Sequence, residues 1–233
     1  MYLPPGYETD GRRYPVVYLQ DGVYLALFCL NLLEHRFRTG ELAEVILVGV
    51  DPVDRNNDYT PWPAQAIRAD RPDFGGGGAA YLASLAGQIK PHVDTHYRTQ
   101  PEPQHTALIG ASLGGLNALF AGYLYPGCFG RIGALSPSLW YEGALDFIRR
   151  EERPNMTPQV YLSYGTLEGN SKTNRQADMV ENTRAACATL QAKGWTENTL
   201  RVTAVEGATH DRVFFIQQFP LALHWLFKRT AGE

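Results

Sequence analysis

The feature that most constrains this sequence is a serine placed between two glycines, where a strand-like segment meets a helix-like one. Residues 107–109 are an apolar run typical of a buried strand, and residues 116–125 carry apolar side chains at helical spacing. Gly110, Ser112 and Gly114 lie between them at the GxSxG spacing of a nucleophile elbow. Turning from strand to helix within one residue strains the serine backbone, and side chains at the glycine positions would collide with the neighbouring segment. The pattern therefore predicts that Ser112 is a nucleophile rather than part of an ordinary glycine-rich turn.

Length and composition are those of one globular domain. The chain has 233 residues, of which 44% are hydrophobic and 19% are charged, and we expect a single domain over residues 1–233. The formal net charge of −3 does not favour nucleic acid or an anionic membrane as a partner. No apolar run approaches the ~20 residues that a membrane-spanning helix needs.

The cysteines and the amino terminus bear on where the protein resides. Cys29, Cys128 and Cys187 are scattered and odd in number, which argues against a disulfide framework. Residues 1–7 lack the basic and apolar regions of a secretion signal, so we expect a cytoplasmic location. The same residues begin abruptly, as if within a strand, which suggests that upstream sequence is missing.

Strand-like and helix-like segments alternate along the chain. Strands are predicted over residues 14–20, 44–50, 107–109, 131–136, 159–164 and 200–205. Helices are predicted over residues 23–38, 79–97, 116–125, 142–150, 173–193 and 212–229. The alternation predicts an α/β fold: a doubly wound, mostly parallel sheet with helices on both faces. Residues 51–78 form a long irregular stretch, and Gly75–Gly78 within it is interpreted as a flexible hinge.

A serine needs a base at the same edge of the sheet, and His210 has the best position for it. It follows the last predicted strand by a short loop and precedes an apolar helix, as the chain order Ser, acid, His requires. His92 and His96 are spaced four apart on a predicted helix and could chelate a metal. No third ligand lies near them in sequence, so a solvated helix face explains them better.

The acid of such a triad is expected in the loop after strand 159–164. This loop contains Glu168, which would hold the imidazole in the tautomer that accepts the serine proton. The alternative is a solvated loop carboxylate, with Asp178 and Glu181 as reserve acids on the following helix. Asp211 is poorly placed to reach the ring of its own neighbour.

Two backbone N–H groups are needed to bind an oxyanion. Leu113, the residue after the nucleophile, is predicted to supply one. The other is expected from the loop after the first strand, with Val23 as the first choice and Gly22 as the second. Asp21 in the same loop is interpreted as a turn former.

The chain resembles the putative-esterase group of α/β-hydrolases, which includes enterochelin-esterase-like and esterase-D-like enzymes. The matching segments span nearly the whole length in the right order: residues 2–7, 14–22, Arg55 with 58–62, 75–78, 97–99, 110–115, 136–140 and 207–210. The family usually has strands before the first of these segments, and here we expect them to be absent or cut away.

The resemblance implies an α/β-hydrolase fold with Ser112, Glu168 and His210 as the catalytic triad. Some relatives depend little on the acid. The resemblance also places four residues where the family lines its substrate cleft: Arg55, Tyr59, Trp62 and Trp140. For the two tryptophans, packing in the core is an equal alternative.

We therefore predict a serine carboxylesterase that hydrolyses a small-molecule ester through an acyl-enzyme, without a metal or organic cofactor. The resemblance allows siderophore, thioester, feruloyl and simple acyl esters. Because residues 51–78 and 136–140 are too short for a large lid, we expect a fairly open cleft. Acyl transfer to an alcohol or sugar, and a non-catalytic binding module, are the alternatives.

Overall fold

Six parallel strands form one sheet in the part of the chain that the computed structural model describes, residues 1–228. The strands are β1 (Val16–Gln20), β2 (Ile46–Val50), β3 (Thr106–Ala111), β4 (Arg131–Leu135), β5 (Gln159–Gly165) and β6 (Leu200–Val205). Their order across the sheet is β2-β1-β3-β4-β5-β6, and every neighbouring pair is parallel. The α/β class predicted from the alternating pattern is confirmed.

The order of the strands places a crevice beside β1 and β3. The chain passes from β1 outward to β2, returns to β3 on the other side of β1, and then continues to β6. In open parallel sheets, ligands bind outside the carboxyl ends of the strands at such a reversal point. The loops that follow β1 and β3 contain Asp21 and Ser112, so both lie at this position.

Helices cover the sheet, and their bounds follow the sequence pattern with several shifts. They are α1 (Tyr24–Leu27), α2 (Leu30–Thr39), α3 (Arg55–Asp58), α4 (Gly78–Ser84), α5 (Lys90–His96), α6 (Leu113–Leu124), α7 (Ala144–Arg150), α8 (Met179–Ala192) and α9 (Arg212–Leu226). A π-helical segment, Leu85–Ile89, joins α4 to α5, and 3₁₀ turns, Pro103–His105 and Arg175–Asp178, precede β3 and α8.

Side chains that alternate along the strands enter two separate cores. In β1, Val16 and Tyr18 belong to one buried cluster, whereas Val17 and Leu19 belong to the other. Because successive side chains of a strand point to opposite faces, two cores mean that both faces of the sheet are covered. This arrangement explains why β1 and β3 are apolar at almost every position.

Three predicted helix boundaries need correction. The predicted helix 23–38 is two helices, since α1 ends at Leu27 and α2 begins at Leu30 after an exposed Phe28. The predicted helix 173–193 becomes α-helical only at Met179. The C-terminal helix ends at Leu226, and the predicted end at Arg229 lies outside the described residues.

The loop 51–78 is more ordered than its composition suggests. It contains α3 and an antiparallel bridge between Ala64 and Phe74. Gly76 has φ +77°, and a Cβ built there would lie 2.2 Å from the Pro63 nitrogen. The glycines therefore allow close packing, in place of the flexible hinge expected from the sequence.

The apolar helices α6 and α9 contribute side chains to the two buried clusters. Over residues 1–228, no helix combines the length and the apolar character that crossing a membrane requires.

Candidate active site

Ser112 occupies a strained turn between β3 and α6. Its backbone has φ 58° and ψ −121°, a conformation in which non-glycine residues are rare. The Ser112 N–H donates to the Leu135 carbonyl of β4 at 2.9 Å. A Cβ built at Gly110 would lie 2.4 Å from the carbonyl carbon of Gly114, so glycine is required there. The sharp strand-to-helix turn predicted from the spacing is present.

Three side chains from separate loops form a hydrogen-bonded chain at the carboxyl edge of the sheet. Ser112 Oγ lies 2.9 Å from His210 Nε2. His210 Nδ1 lies 3.2 Å from Glu168 Oε2 on the far side of the ring. With Nδ1 protonated and donating to the carboxylate, Nε2 is left as the acceptor for the serine proton. The structure therefore brings together the three residues that the sequence predicted for a triad.

Glu168 is buried and well bonded. Its side chain is 2% exposed, and Oε1 accepts hydrogen bonds from the Gly165 N–H at 2.8 Å and from the Ser136 hydroxyl. A buried carboxylate must be satisfied in this way because its desolvation is otherwise unfavourable. These bonds fix Oε1, and Oε2 is left to face His210. The alternative of a solvated loop carboxylate is wrong.

Ser136 and Ser138 also belong to the site, although they were not predicted from the sequence. Ser138 Oγ lies 3.2 Å from Ser112 Oγ, and the Ser138 N–H donates to the Ser112 carbonyl at 3.0 Å. In the tautomer that has Nδ1 protonated, the Ser112 hydroxyl can donate to His210 and accept from the Ser138 hydroxyl. The signal available in the sequence was the pair of serines around Pro137 directly after β4, the strand that lies beside β3.

The three predicted oxyanion donors differ in availability. Leu113 is the first residue of α6, and Val23 directly precedes α1, where N–H groups have no acceptor within the helix. The Gly22 N–H donates to the Val50 carbonyl at 3.2 Å. Gly22 is therefore removed from the candidate donors, and Leu113 with Val23 stays the prediction.

Ser112 and His210 lie in an open cleft of about 560 Å³. The His210 side chain is 23% exposed, as an open cleft requires. The other walls combine charge and aromatic surface and include Asp21, Tyr24, Phe28, Arg55, Arg212 and Phe215. Burial, together with the charge of Asp21, raises the pKa of Tyr24 to about 12, so this phenol stays neutral at ordinary pH.

The four predicted substrate-binding residues do not share one location. Arg55 lines the cleft, but its guanidinium is paired with Asp21. Tyr59 is fully buried, and its hydroxyl accepts from the Asp21 N–H at 2.7 Å, so it is corrected to a structural role. Trp140 is 5% exposed and packs against Phe74, which corrects it to the core.

Trp62 also lies outside the lining of the Ser112 cleft. Its ring packs against Phe120 and Phe147, and its Nε1–H donates to the Glu142 carbonyl at 2.8 Å. For both tryptophans the core-packing alternative is the one that the contacts favour.

The pair His92 and His96 is explained by contacts within its own helix. The rings stack with centroids 4.1 Å apart, and His96 Nδ1 lies 2.8 Å from the His92 carbonyl oxygen. In residues 1–228 no group of three or more His, Cys, Asp or Glu side chains is arranged to hold a metal ion.

Asp211 caps the helix that follows His210. Its carboxylate accepts from the Thr209 hydroxyl at 2.6 Å and from the Phe214 N–H at 3.0 Å. The Thr209 hydroxyl first, and then the Phe214 N–H, hold the pKa of Asp211 below its ordinary value of 3.8. Because the lowered pKa belongs to the folded state, the charged form stabilises the fold, and this contribution is lost as the pH falls through the folded-state pKa.

Replacing Asp211 by alanine should lower the free energy of unfolding by about 1 kcal/mol at pH 7, since α9 loses its N-cap. Urea unfolding at pH 7 and pH 3 measures this, and the gap to wild type should narrow at pH 3. Asp211→Asn is the matched control, because asparagine caps helices equally well. Equal losses in the two variants would rule out the capping role.

Sequence similarity to known proteins covers almost the whole chain. The family model described as "Putative esterase" matches residues 1–226. The uncharacterized protein YbbA of Bacillus subtilis is 40% identical over 230 residues, which are 99% of this chain and 92% of that protein. The siderophore enterobactin esterase of Emericella nidulans is 30% identical over 149 residues, which are 58% of this chain and 49% of that protein.

Solved structures show the same fold. An IroE-like serine hydrolase from Shewanella oneidensis matches with a TM-score of 0.80 and 23% identity over 97% of this chain and 74% of that chain. The enterobactin esterase FES from Shigella flexneri matches with a TM-score of 0.73 and 19% identity over 92% of this chain and 53% of that chain. The fold is the α/β-hydrolase fold predicted from the sequence. The chain spans about half the length of these two enterobactin esterases.

Proposed function

Because this chain belongs to the putative esterase family and is an ester-hydrolysing enzyme, we propose that it works as a serine carboxylesterase with Ser112 as its nucleophile. The observation that carries the proposal is the chain of hydrogen bonds from Glu168 through His210 to Ser112, with lengths of 3.2 and 2.9 Å. The same geometry of nucleophile, base and orienting acid recurs in serine hydrolases of unrelated folds.

In the proposed reaction, Ser112 Oγ attacks the ester carbonyl carbon while its proton passes to His210 Nε2. The N–H groups of Leu113 and Val23 bind the negative oxygen of the tetrahedral intermediate. The carbon–oxygen bond of the leaving group then breaks, and His210 returns the proton to the departing alcohol. An acyl group is left on Ser112.

The second half of the reaction uses the same residues with water as the nucleophile. His210 takes a proton from the water, and the resulting hydroxide adds to the acyl carbon. Collapse of this second intermediate breaks the bond to Ser112 Oγ, which recovers its proton from His210. The products are a carboxylic acid and the free enzyme.

Replacing Glu168 by glutamine should lower kcat about 10³- to 10⁴-fold, because the amide favours the wrong tautomer of the histidine. The Gly165 N–H and the Ser136 hydroxyl both donate to Oε1, so the amide oxygen is drawn to that position. The NH₂ group then faces Nδ1 and leaves Nε2 carrying the proton. Steady-state kinetics on p-nitrophenyl butyrate measure the change.

The control for this variant is Glu181→Gln, which alters a reserve acid on α8. It should leave kcat unchanged. A loss of activity in Glu181→Gln, together with normal turnover in Glu168→Gln, would show that the acid is Glu181 on α8 and not Glu168.

The relatives guide the choice of substrate. Several of the matched proteins bear the names of siderophore or enterobactin esterases, and the open cleft has room for a bulky ester. We therefore place siderophore esters first among the substrate classes for this chain, ahead of thioesters, feruloyl esters and simple acyl esters.

Hydrolysis assays test the function directly. The wild type is offered p-nitrophenyl acetate, butyrate and octanoate beside enterobactin, with products followed by absorbance and mass spectrometry. The proposal predicts turnover of at least one ester, with a burst of p-nitrophenol where deacylation is slow. No turnover of any ester by folded protein, and no burst, would contradict it.

A further inference from the structure

Two consecutive residues after β1 have left-handed backbones. Asp21 has φ 60° and Gly22 has φ 71°. Glycine adopts this conformation readily, but an aspartate does so only where its surroundings hold it. The loop leads directly to Val23, whose N–H is a predicted oxyanion donor. The orientation of that N–H therefore depends on how firmly Asp21 is held.

Two side chains hold Asp21 at its backbone and at its carboxylate. The Asp21 N–H donates to the hydroxyl of Tyr59 at 2.7 Å. The Asp21 carboxylate accepts from Arg55 Nε at 2.7 Å and from Arg55 Nη2 at 3.0 Å, a two-pronged pair that fixes both position and angle. Tyr59 is fully buried, and its hydrogen bond to Asp21 is partly buried.

Arg55 also reaches the other side of the cleft. Its Nη2 donates to the Ala111 carbonyl at 3.4 Å, one residue before Ser112. The guanidinium therefore joins the loop after β1 to the last residue of β3. Val23 lies two residues beyond Asp21, and Leu113 lies two residues beyond Ala111. Each predicted oxyanion donor therefore lies two residues along the chain from a residue that Arg55 holds.

Arg55 is itself held by the helix that contains it and by a neighbouring ring. Arg55 begins α3, whose N-cap Asp54 accepts from the Asn56 N–H at 3.0 Å. The guanidinium carbon lies 5.5 Å from the centre of the Tyr59 ring, within the range of a cation–π contact. Arg55 and Tyr59 therefore support one another as well as Asp21.

We infer that Arg55 and Tyr59 are positioning residues that hold the loop after β1, and with it the Val23 N–H, in register with the nucleophile turn. The inference rests on the proposed function and assigns Arg55 a task other than the substrate contact that the sequence suggested. The positioned N–H binds the oxyanion, which exists only in the transition state and intermediates. Loss of the arginine bridge should therefore lower kcat more than it raises KM.

Two conservative variants test the inference in the full chain. Arg55→Lys keeps the charge but cannot make the two-pronged pair, and Tyr59→Phe removes only the hydroxyl that accepts from Asp21. Both should lower kcat on p-nitrophenyl butyrate at least about tenfold, since loss of one oxyanion donor costs about 10²- to 10³-fold, with KM within about twofold of wild type. Both should also speed amide hydrogen exchange in residues 20–24.

Matched controls alter the same residue types outside the cleft. Arg12→Lys changes an arginine paired with Asp10 and Glu44, and Tyr14→Phe removes a buried hydroxyl that donates to Asp10 at 2.7 Å. Neither should change kcat or the exchange of residues 20–24.

Two results would overturn the inference. One is a rise in KM at unchanged kcat for Arg55→Lys, which would make Arg55 a substrate-binding residue. The other is unchanged exchange of residues 20–24 in both cleft variants. Because exchange does not need turnover, it decides the inference even if the proposed esterase activity fails.

Discussion

Replacing Ser112 by alanine should lower kcat for p-nitrophenyl butyrate about 10⁵- to 10⁶-fold, the size of effect seen when a serine hydrolase loses its nucleophile. The hydroxyl is the group 2.9 Å from His210 Nε2, and alanine leaves no atom to attack the ester. The residual rate should come from substrate binding and the oxyanion donors alone. Steady-state assays at high enzyme concentration measure it.

The fold should tolerate this change. Alanine at φ 58° is strained to about the same degree as the native serine, so the midpoint of thermal unfolding should stay close to that of wild type. Ser84→Ala, on α4, is the control and should keep full activity. A Ser112→Ala protein that retains more than about a tenth of the wild-type kcat would refute the nucleophile, because no residual mechanism accounts for such a rate.

Replacing His210 by glutamine should have an effect of similar size, about 10⁵- to 10⁶-fold on kcat, because nucleophile and base act as a unit. Steady-state assays on p-nitrophenyl butyrate measure the effect.

The control for His210 is His92→Gln, which alters an exposed ring on α5. It should keep the rate of the wild type. Near-normal turnover by His210→Gln would show that another group is the base.

The residues of the proposed triad could be predicted because each depends on local features of the chain. The turn at Ser112 is encoded by its glycines, and β6 and the start of α9 on either side of His210 follow the predicted bounds. Glu168 lies on the loop where the order Ser, acid, His requires an acid. Parallel strands then bring the three loops to one edge of the sheet.

The rest of the site depends on contacts between distant segments, which the local pattern does not contain. Arg55 contacts Asp21, which lies 34 residues earlier in the chain, and Ser138 contacts Ser112 because β4 lies beside β3. A family resemblance placed Tyr59 and Trp140 in the cleft, but the structure shows that both side chains are buried in the core. Likewise, the Gly22 N–H is excluded as an oxyanion donor by its hydrogen bond to the Val50 carbonyl, which lies on strand β2.

Covalent labelling measures directly whether Ser112 is an activated nucleophile. The wild type is treated with a fluorophosphonate, digested with trypsin and mapped by tandem mass spectrometry. Cleavage at arginine places Ser112 on the peptide 99–131 and Ser138 on the peptide 132–149. We predict one phosphonyl group, on Ser112, and none in Ser112→Ala. A folded wild type that stays unlabelled, or a label on Ser138 that persists in Ser112→Ala, would show that Ser112 is not an activated nucleophile.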